Sequence, residues 1–226
     1  MSIVIIISLY VLTSTVLKKS LGFFEKLSLL DRPTERSNHS IIKPKGAGLI
    51  LIPFLIFSTL LIFFLKDLLS QNWILIFGFC GILFSISLLD DLRNVSSRIR
   101  LTFQFFCVIS ALLVFQEDLH IFLGSIIQNI SDETFSRLII VLIICLLVIS
   151  WVWVINLFNF MDGMDGITAV QVSSIAICTN IFSIMGLIST DFLYFGLIIL
   201  TIFLAFFSVN KPPAKIFLGD VGSIPI

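Results

Sequence analysis

Seven long apolar segments, separated by short polar ones, constrain the fold of this 226-residue chain more than any other feature. A helix needs about 20 mostly apolar residues to cross roughly 30 Å of hydrocarbon. The predicted spans are residues 2–17, 47–65, 72–89, 101–116, 136–155, 167–188 and 192–209. An eighth apolar segment begins near Val221, shortly before the sequence ends. The pattern predicts an all-α fold, a polytopic transmembrane helical bundle of about seven spans plus the start of an eighth.

The composition excludes several other classes of protein. Hydrophobic residues make up 58% of the chain and charged residues only 12%, about half the share that is usual in soluble domains. A water-soluble domain of this length could not bury so much apolar surface. A cytosolic globular protein, a disordered chain and a secreted disulfide scaffold are therefore excluded. Because the chain is so apolar, we expect the lipid bilayer as a partner. The net charge is zero, so we expect no nucleic acid partner.

The basic residues predict the orientation of the bundle. No basic residue precedes the first span, whereas Lys18 and Lys19 follow it, which is the reverse of a cleavable signal peptide. We therefore expect the N-terminus to lie outside. Alternation then places four segments in the cytoplasm: residues 18–46, 90–100, 156–166 and 210–220.

The counts of lysine and arginine agree with this orientation. Twelve of the fourteen basic residues fall in the four cytoplasmic segments, which leaves only Lys66 and Arg137 outside. Most outer connections are short, but the segment 117–135 is long enough to contain an interfacial helix.

Carboxylates gather on the predicted cytoplasmic face, beside the ends of the spans. The five are Asp90, Asp91, Asp162, Asp165 and Asp220. Carboxylates near the membrane are costly and usually face a protein interior or a wet cavity, although any single one could be a helix cap or an interfacial residue. Five of them, with no matching excess of nearby base, should repel one another unless a cation lies among them. Oxygen ligands with little histidine or thiolate favour Mg²⁺, bound by one or two carboxylates and by substrate phosphates.

Two amides accompany these acids. Asn156 and Asn159 lie one helical turn apart and share a face, so they could offer oxygens to a metal or donors to a nucleotide. For Asn159 alone, an interhelical hydrogen bond is the alternative, but its position beside Asp162 and Asp165 makes it a candidate ligand.

The polar segment 31–48 carries a basic patch. It holds, within ten residues, Arg36, His39, Lys43 and Lys45. Such a cluster could face substrate phosphates. The alternative is a positive loop that serves only to fix the topology.

Four cytoplasmic motifs resemble those of the polyprenyl-phosphate N-acetylhexosamine-1-phosphate transferases, glycosyltransferase family 4. In chain order they are DRPTERSNHSIIKPKGAG, SLLDDLRNVSSRIRLTFQ, NLFNFMDGMDG and KIFLGDVGS. The resemblance covers essentially the whole chain. The ERSNH form of the first motif is most similar to the bacterial enzymes that initiate O-antigen or related surface glycans, and less similar to the transferase of peptidoglycan precursor synthesis.

The resemblance implies a reaction and its setting. A UDP-linked N-acetylhexosamine and undecaprenyl phosphate would give the undecaprenyl-pyrophosphate-linked sugar and UMP, with Mg²⁺ as cofactor and Mn²⁺ as its alternative. Residues 1–226 would form one transferase domain in the bacterial inner membrane, with the active site facing the cytoplasm. Analogy with the family also leaves a homodimer open.

The resemblance further implies roles for single residues. Asp90 and Asp91 match the catalytic pair at the lipid-phosphate site, and Asp220 matches the Mg²⁺ ligand. Asn159 matches a second metal-contacting position. Asp165 and Phe217 match positions that hold the uracil. The other candidates for substrate binding are Asn156, Asp162, Arg36 and His39.

Members of this family continue through further helices and a histidine-rich or basic loop, so we expect a C-terminally truncated member. One alternative is a non-catalytic remnant that keeps affinity for lipid or nucleotide. Another is a transporter or cation channel that uses the acids as a pathway. The transporter is disfavoured because the acids cluster at one face and are not strung across the midplane.

Overall fold

The structure, a computed structural model, describes residues 3–26, 30–31, 42–127 and 133–226. Within these ranges the elements are, in chain order, α1 (Ile3–Lys26), β1 (Leu30–Asp31), β2 (Lys43–Pro44), α2 (Gly48–Leu65), α3 (Gln71–Arg93), α4 (Ser97–Val114), α5 (Gln116–Ile127), α6 (Glu133–Met161), α7 (Ile167–Ile184), α8 (Thr190–Asn210) and α9 (Asp220–Ser223). β1 and β2 form a short antiparallel pair.

Seven of the described helices are long and apolar enough to cross a membrane: α1, α2, α3, α4, α6, α7 and α8. The predicted all-α polytopic bundle is therefore confirmed, and the chain is a multi-pass membrane protein.

Several predicted helix ends are wrong, because hydropathy marks the part of a helix that lies in hydrocarbon and not its last hydrogen bond. α1 continues to Lys26 and α6 to Met161, beyond the predicted ends at residues 17 and 155. The extension of α1 contains lysine and glutamate, which are good helix formers, and the extension of α6, residues 156–161, contains no glycine or proline that would end the helix. α7 ends earlier than predicted, at Ile184, because Gly186 takes a positive φ of 73° and its N–H donates back to the carbonyl of Ser183.

The outer segment 117–135 and the eighth apolar segment each contain a helix. α5 begins at Gln116, within one residue of the outer segment that was predicted to carry one. The eighth apolar segment begins with the four-residue helix α9, whose first residue is Asp220.

One part of the bundle is built around α8. This helix packs against α1, α2 and α7, and its fully buried residues include Ile198, Ile202, Phe203 and Phe206. Leu17 of α1 and Leu51 of α2 complete the same apolar core.

A second part pairs α3 with α4 and α4 with α6. The short helix α9 touches α2, α3 and α6, so it joins the two parts of the bundle. α6 contributes little to the described core, because few of its residues are fully buried.

Candidate active site

The four segments that were predicted to share the cytoplasmic face meet at one end of the bundle. Backbone hydrogen bonds join the segment before α2 to the segment before α9. The N–H of Phe217 donates to the carbonyl of Pro44 (3.0 Å), and the N–H of Gly48 donates to the carbonyl of Leu218 (2.9 Å). Lys45 and Phe217 form a parallel bridge between them. This ladder fixes the position of the loop that leads into Asp220.

Asp90 and Asp220 are joined through one arginine. The Nη1 of Arg100 lies 2.6 Å from the Oδ2 of Asp90 and 3.2 Å from the Oδ2 of Asp220. Asp90 lies near the end of α3, Arg100 in the first turn of α4 and Asp220 at the start of α9. Three elements therefore converge on a single guanidinium group.

Asp91 is held from two sides. The Nζ of Lys45 lies 2.7 Å from its Oδ1, and the N–H of Val221 donates to its Oδ2 at 3.3 Å. The side chain of Asp91 is almost fully buried. It ties α3 to the first turn of α9.

Basic side chains lie closer to these acids than their spacing in the sequence suggests. Lys45, Arg100 and Lys43 each form an ion pair with at least one of the five aspartates. Sequence distance concealed the pairing, because Lys45 is 46 residues from Asp91.

Asp162 is buried beneath the site, in the loop between α6 and α7. Its Oδ2 accepts from the N–H of Gly219 (2.7 Å) and its Oδ1 accepts from the hydroxyl of Thr168 (3.1 Å). Burial raises the pKa of Asp162 from 3.8 to about 8, although these two donors act in the opposite direction. The bond to Gly219, whose φ is +76°, holds the turn that presents Asp220.

The pKa of Asp220 is also raised. Burial is the largest cause, and the negative charge of Asp91 adds to it. The positive charges of Lys45 and Arg100 oppose the shift. The carboxylates therefore lie close enough together to repel one another.

Asp165 forms a separate contact with Lys43. The Nζ of Lys43 lies 2.9 Å and 3.2 Å from the two carboxylate oxygens, and the N–H of Ala214 donates to Oδ2 at 2.9 Å. The same Nζ lies 5.2 Å from the centre of the Phe217 ring, and Phe217 is buried. The two residues that the motif resemblance assigns to uracil are thus brought together, with Lys43 between them.

The two asparagines differ in their surroundings. Asn159 accepts a hydrogen bond from the hydroxyl of Ser223 in α9 (2.7 Å), which places its amide oxygen beside the site. Asn156 instead donates to the side chain of Gln104 (2.7 Å) and to the carbonyl of Val152, within the contact between α4 and α6. The structure therefore does not bring Asn156 together with the aspartates.

Arg36 and His39, the other two candidates for phosphate binding, lie outside the described residues. The structure does describe Lys43 and Lys45, the second half of the same basic patch.

The donor chemistry fits Mg²⁺. Among the described residues no three His, Cys, Asp or Glu side chains stand close enough to hold a metal by themselves. Asp90 and Asp220 nevertheless place two carboxylate oxygens on either side of one positive group. Mg²⁺ prefers hard oxygen ligands and usually takes only one or two protein carboxylates, with phosphates and water completing its shell.

Sequence reasoning missed the part that Arg100 plays in the site. In the sequence, Arg100 serves only as evidence for the topology. A signal was present, because only residues 94–96 connect α3 and α4, and helices joined by so short a connection bring residues near it together. Ser223 and Thr168 were missed because lone hydroxyls carry no recognisable spacing.

A profile of glycosyl transferase family 4 matches residues 73–226, which is more than half of the chain. The chain belongs to glycosyl transferase family 4. The matched region contains three of the four motifs and all five aspartates, so the family resemblance inferred from the motifs is confirmed.

Two relatives from this family are similar over most of the chain. The phospho-N-acetylmuramoyl-pentapeptide-transferase of Prochlorococcus marinus is 27% identical over 243 aligned positions, which cover 98% of this chain and 65% of that protein. The undecaprenyl-phosphate alpha-N-acetylglucosaminyl 1-phosphate transferase of Thermotoga maritima is 30% identical over 201 positions, which cover 89% and 54%. The glycosyl transferase family 4 chain described here thus spans between about half and two thirds of their length.

Proposed function

We propose that this protein transfers an N-acetylhexosamine-1-phosphate from a UDP-sugar to undecaprenyl phosphate and releases UMP. The product would be the lipid-pyrophosphate-linked sugar that initiates an O-antigen-like surface polysaccharide. The observation that carries the proposal is the convergence of Asp90, Asp91 and Asp220 with Arg100 and Lys45 at one end of an apolar bundle. Family membership and the names of the two relatives support it.

The reaction is a transfer between phosphates. An oxygen of the lipid phosphate attacks the phosphorus atom that carries the sugar, and a new P–O bond forms. The bond from that phosphorus to the bridging oxygen of the UDP-sugar breaks, and UMP leaves with this oxygen and the bonding electron pair. No proton has to move if the acceptor phosphate is already ionised, so positioning and charge compensation supply most of the catalysis.

The residues of the site divide by task. Asp90 and Asp91 would orient the lipid phosphate, and Asp165 with Phe217 would hold the uracil. Asp220 and Asn159 would hold Mg²⁺. When bound, Mg²⁺ would neutralise charge that develops on the phosphate oxygens. Asp162 would keep the loop before Asp220 in place through the N–H of Gly219.

An apolar cavity of about 570 Å³ lies next to this site. Its lining comes from α2, α3, α4, α6, α7 and α8 and includes Ser223, whose hydroxyl contacts Asn159. Such a cavity could receive the first isoprene units of a polyprenyl phosphate. In that position the phosphate would lie beside the carboxylates, and the hydrocarbon tail would lie within the bundle.

The proposed site faces the cytoplasm of the bacterial inner membrane, in agreement with the distribution of basic residues. Single cysteines at Lys66 and at Lys211, in a background without the four native cysteines, test this orientation. Lys66 directly follows α2, Lys211 directly follows α8, and both side chains are exposed. A membrane-impermeant maleimide applied to intact cells or spheroplasts should label Lys66→Cys and not Lys211→Cys, and the opposite result would reverse the orientation.

The test of the reaction uses membranes that contain the gene product carrying this chain, with membranes lacking it as the control. Undecaprenyl phosphate, Mg²⁺ and one donor at a time are supplied, and the lipid product is identified by mass. The donors are UDP-N-acetylglucosamine, UDP-N-acetylgalactosamine, UDP-N-acetylfucosamine and UDP-N-acetylmuramoyl-pentapeptide.

We expect a lipid-pyrophosphate-linked product from one of the simple UDP-N-acetylhexosamines. A product from the muramoyl-pentapeptide donor alone would overturn the surface-glycan assignment, whereas the proposed sugar-phosphate transferase activity would stand. The absence of a product with every donor would contradict the proposed reaction and would favour the non-catalytic alternative.

A further inference from the structure

Arg100 occupies a central place among the charges of the site. Its side chain is 30% exposed, and its Nη1 contacts the Oδ2 atoms of both Asp90 and Asp220. The two carboxylates belong to different helices, α3 and α9, so the guanidinium group is the electrostatic link between them.

The balance of charge explains why this link matters. Three carboxylates, from Asp90, Asp91 and Asp220, meet two described basic side chains, from Lys45 and Arg100. Lys45 contacts Asp91, and Arg100 contacts the other two aspartates. Carboxylates this close repel one another unless a positive group lies between them.

We propose that Arg100 is an internal counter-cation that would leave Asp220 when a divalent metal binds there, and whose guanidinium group would then bind phosphate oxygens of the substrate. This inference rests on the proposed function, since it concerns the same site. It assigns to Arg100 a positioning role that neither the motifs nor the family match supplied.

The two distances indicate which contact is released. The nitrogen–oxygen distance to Asp90 is 2.6 Å, which is typical of a strong charged hydrogen bond, whereas the distance to Asp220 is 3.2 Å. Asp220 is also the more exposed carboxylate, with 28% of its side chain accessible against 12% for Asp90. The weaker and more accessible contact is the one that an incoming cation takes.

The guanidinium group of Arg100 is also suited to bind phosphate oxygens. Once released from Asp220, it keeps its contact with Asp90 and has further N–H donors free to turn toward a phosphate. A guanidinium fork matches two phosphate oxygens at once, whereas a lysine ammonium offers only a point charge. The variant Arg100→Lys therefore keeps the positive charge and removes the fork geometry.

A purely structural bridge makes a different prediction. If Arg100 only held α3 and α9 together, its removal would disorder the site, and metal affinity and turnover would fall together. If Arg100 competes with the metal, its removal strengthens metal binding while turnover falls.

The experiment measures Mn²⁺ binding to the purified full-length gene product in detergent by electron paramagnetic resonance, and UMP release by the same samples. The variants are Arg100→Met and Arg100→Lys, with Arg98→Met as the matched control and Asp220→Asn as the test that Mn²⁺ occupies this site. Arg98 lies two residues before Arg100 in the first turn of α4, is exposed, and has no ion pair with another described residue.

We expect Arg100→Met to bind Mn²⁺ about tenfold more tightly than the wild type, because a nearby positive charge has been removed. Its turnover should fall by about 100-fold, which is typical of the loss of a transition-state contact. Arg100→Lys should keep Mn²⁺ affinity within about threefold and lose about tenfold in turnover, because the charge remains and the fork is lost. Arg98→Met should change both quantities by less than about twofold, as is usual for exposed substitutions.

Weaker or unchanged Mn²⁺ binding by Arg100→Met, or wild-type turnover by Arg100→Lys, would overturn this inference and leave the proposed transferase intact. If Arg100→Met fails to accumulate in membranes, Arg100→Lys decides the question by itself. A lack of Mn²⁺ binding by the wild type and by every arginine variant would overturn both the inference and the metal-dependent function.

Discussion

Gly48 and Gly222 lie in direct backbone contact: a Cβ atom on Gly48 would fall only 2.3 Å from the Cα of Gly222. The first residue of α2 thus packs against α9 without any side chain between them. Because Asp220 begins α9, this contact sets how closely its carboxylate approaches the end of α3. The geometry of the acidic site therefore depends on Gly48 and Gly222, two residues without a reactive side chain.

Replacing Gly48 with alanine should damage both the site and the fold. The added methyl group would meet the backbone of α9, which cannot rotate away as a flexible side chain can, so we expect a loss of about 1–3 kcal/mol in stability. Turnover should fall by about tenfold or more, since small misplacements of reacting groups are costly. The thermal unfolding midpoint in detergent and the rate of UMP release measure the two effects.

The control is Gly78→Ala in α3, where an added Cβ would have no atom within 4 Å. Gly78→Ala should be neutral or slightly stabilising, because alanine is the better helix former. Equal behaviour of the two variants would mean that the backbone contact does not position α9.

The pKa of Asp162 predicts how stability depends on pH. The pKa is raised from 3.8 to about 8, so the folded protein keeps a proton that the unfolded chain releases between these values. This contribution to stability is complete below about pH 4 and is lost as the pH rises through about 8. We expect the unfolding midpoint of the wild type to fall between pH 5 and pH 8.5.

Asp162→Asn should flatten this dependence. The amide is uncharged at every pH in this range, has nearly the same shape, and its oxygen can accept the hydrogen bond from the N–H of Gly219. A wild-type midpoint that rises across the interval, or an equally steep fall in Asp162→Asn, would show that Asp162 is not the titrating group.

The sequence predicted the spans, the shared face of the four polar segments and the aspartates at their ends. These features follow from hydropathy, from the placement of lysine and arginine, and from local motifs. It could not predict that Lys45 pairs with Asp91, because such a contact depends on how α2, α3 and α9 pack. The pairing of Asn156 with Gln104 was hidden for the same reason, since an amide at helical spacing has the same pattern whether it faces a ligand or a neighbouring helix.

Asp90→Asn should impair turnover and leave nucleotide binding nearly unchanged. Among the described residues, the carboxylate of Asp90 has Arg100 as its hydrogen-bond partner, and its proposed task is to orient the lipid phosphate. We therefore expect Asp90→Asn to lower turnover by about 100-fold while UDP-sugar affinity changes by less than about threefold. Nucleotide binding by calorimetry and turnover by UMP release separate these effects. A loss confined to nucleotide affinity would place the lipid phosphate elsewhere.

Gly196 and Asn180 set the spacing between α8 and α7. The side-chain oxygen of Asn180 would lie 2.2 Å from a Cβ on Gly196, so Gly196→Ala should lower the unfolding midpoint. Truncation of the asparagine in Asn180→Ala removes the clashing atom. The double variant should therefore lose less stability than the sum of the two single variants, and strict additivity would contradict the contact.

The most direct test of the account is UMP release from membranes that contain this protein, with undecaprenyl phosphate and the donor that the panel selects. Wild type and Asp220→Asn are compared with Mg²⁺ and with EDTA, after immunoblotting shows equal amounts in the membrane. We expect UMP release that EDTA abolishes in the wild type and that is lost in Asp220→Asn. Release that survives EDTA, or equal rates in the two proteins, would contradict the claim that the converging carboxylates form a metal-dependent phosphoryl-transfer site.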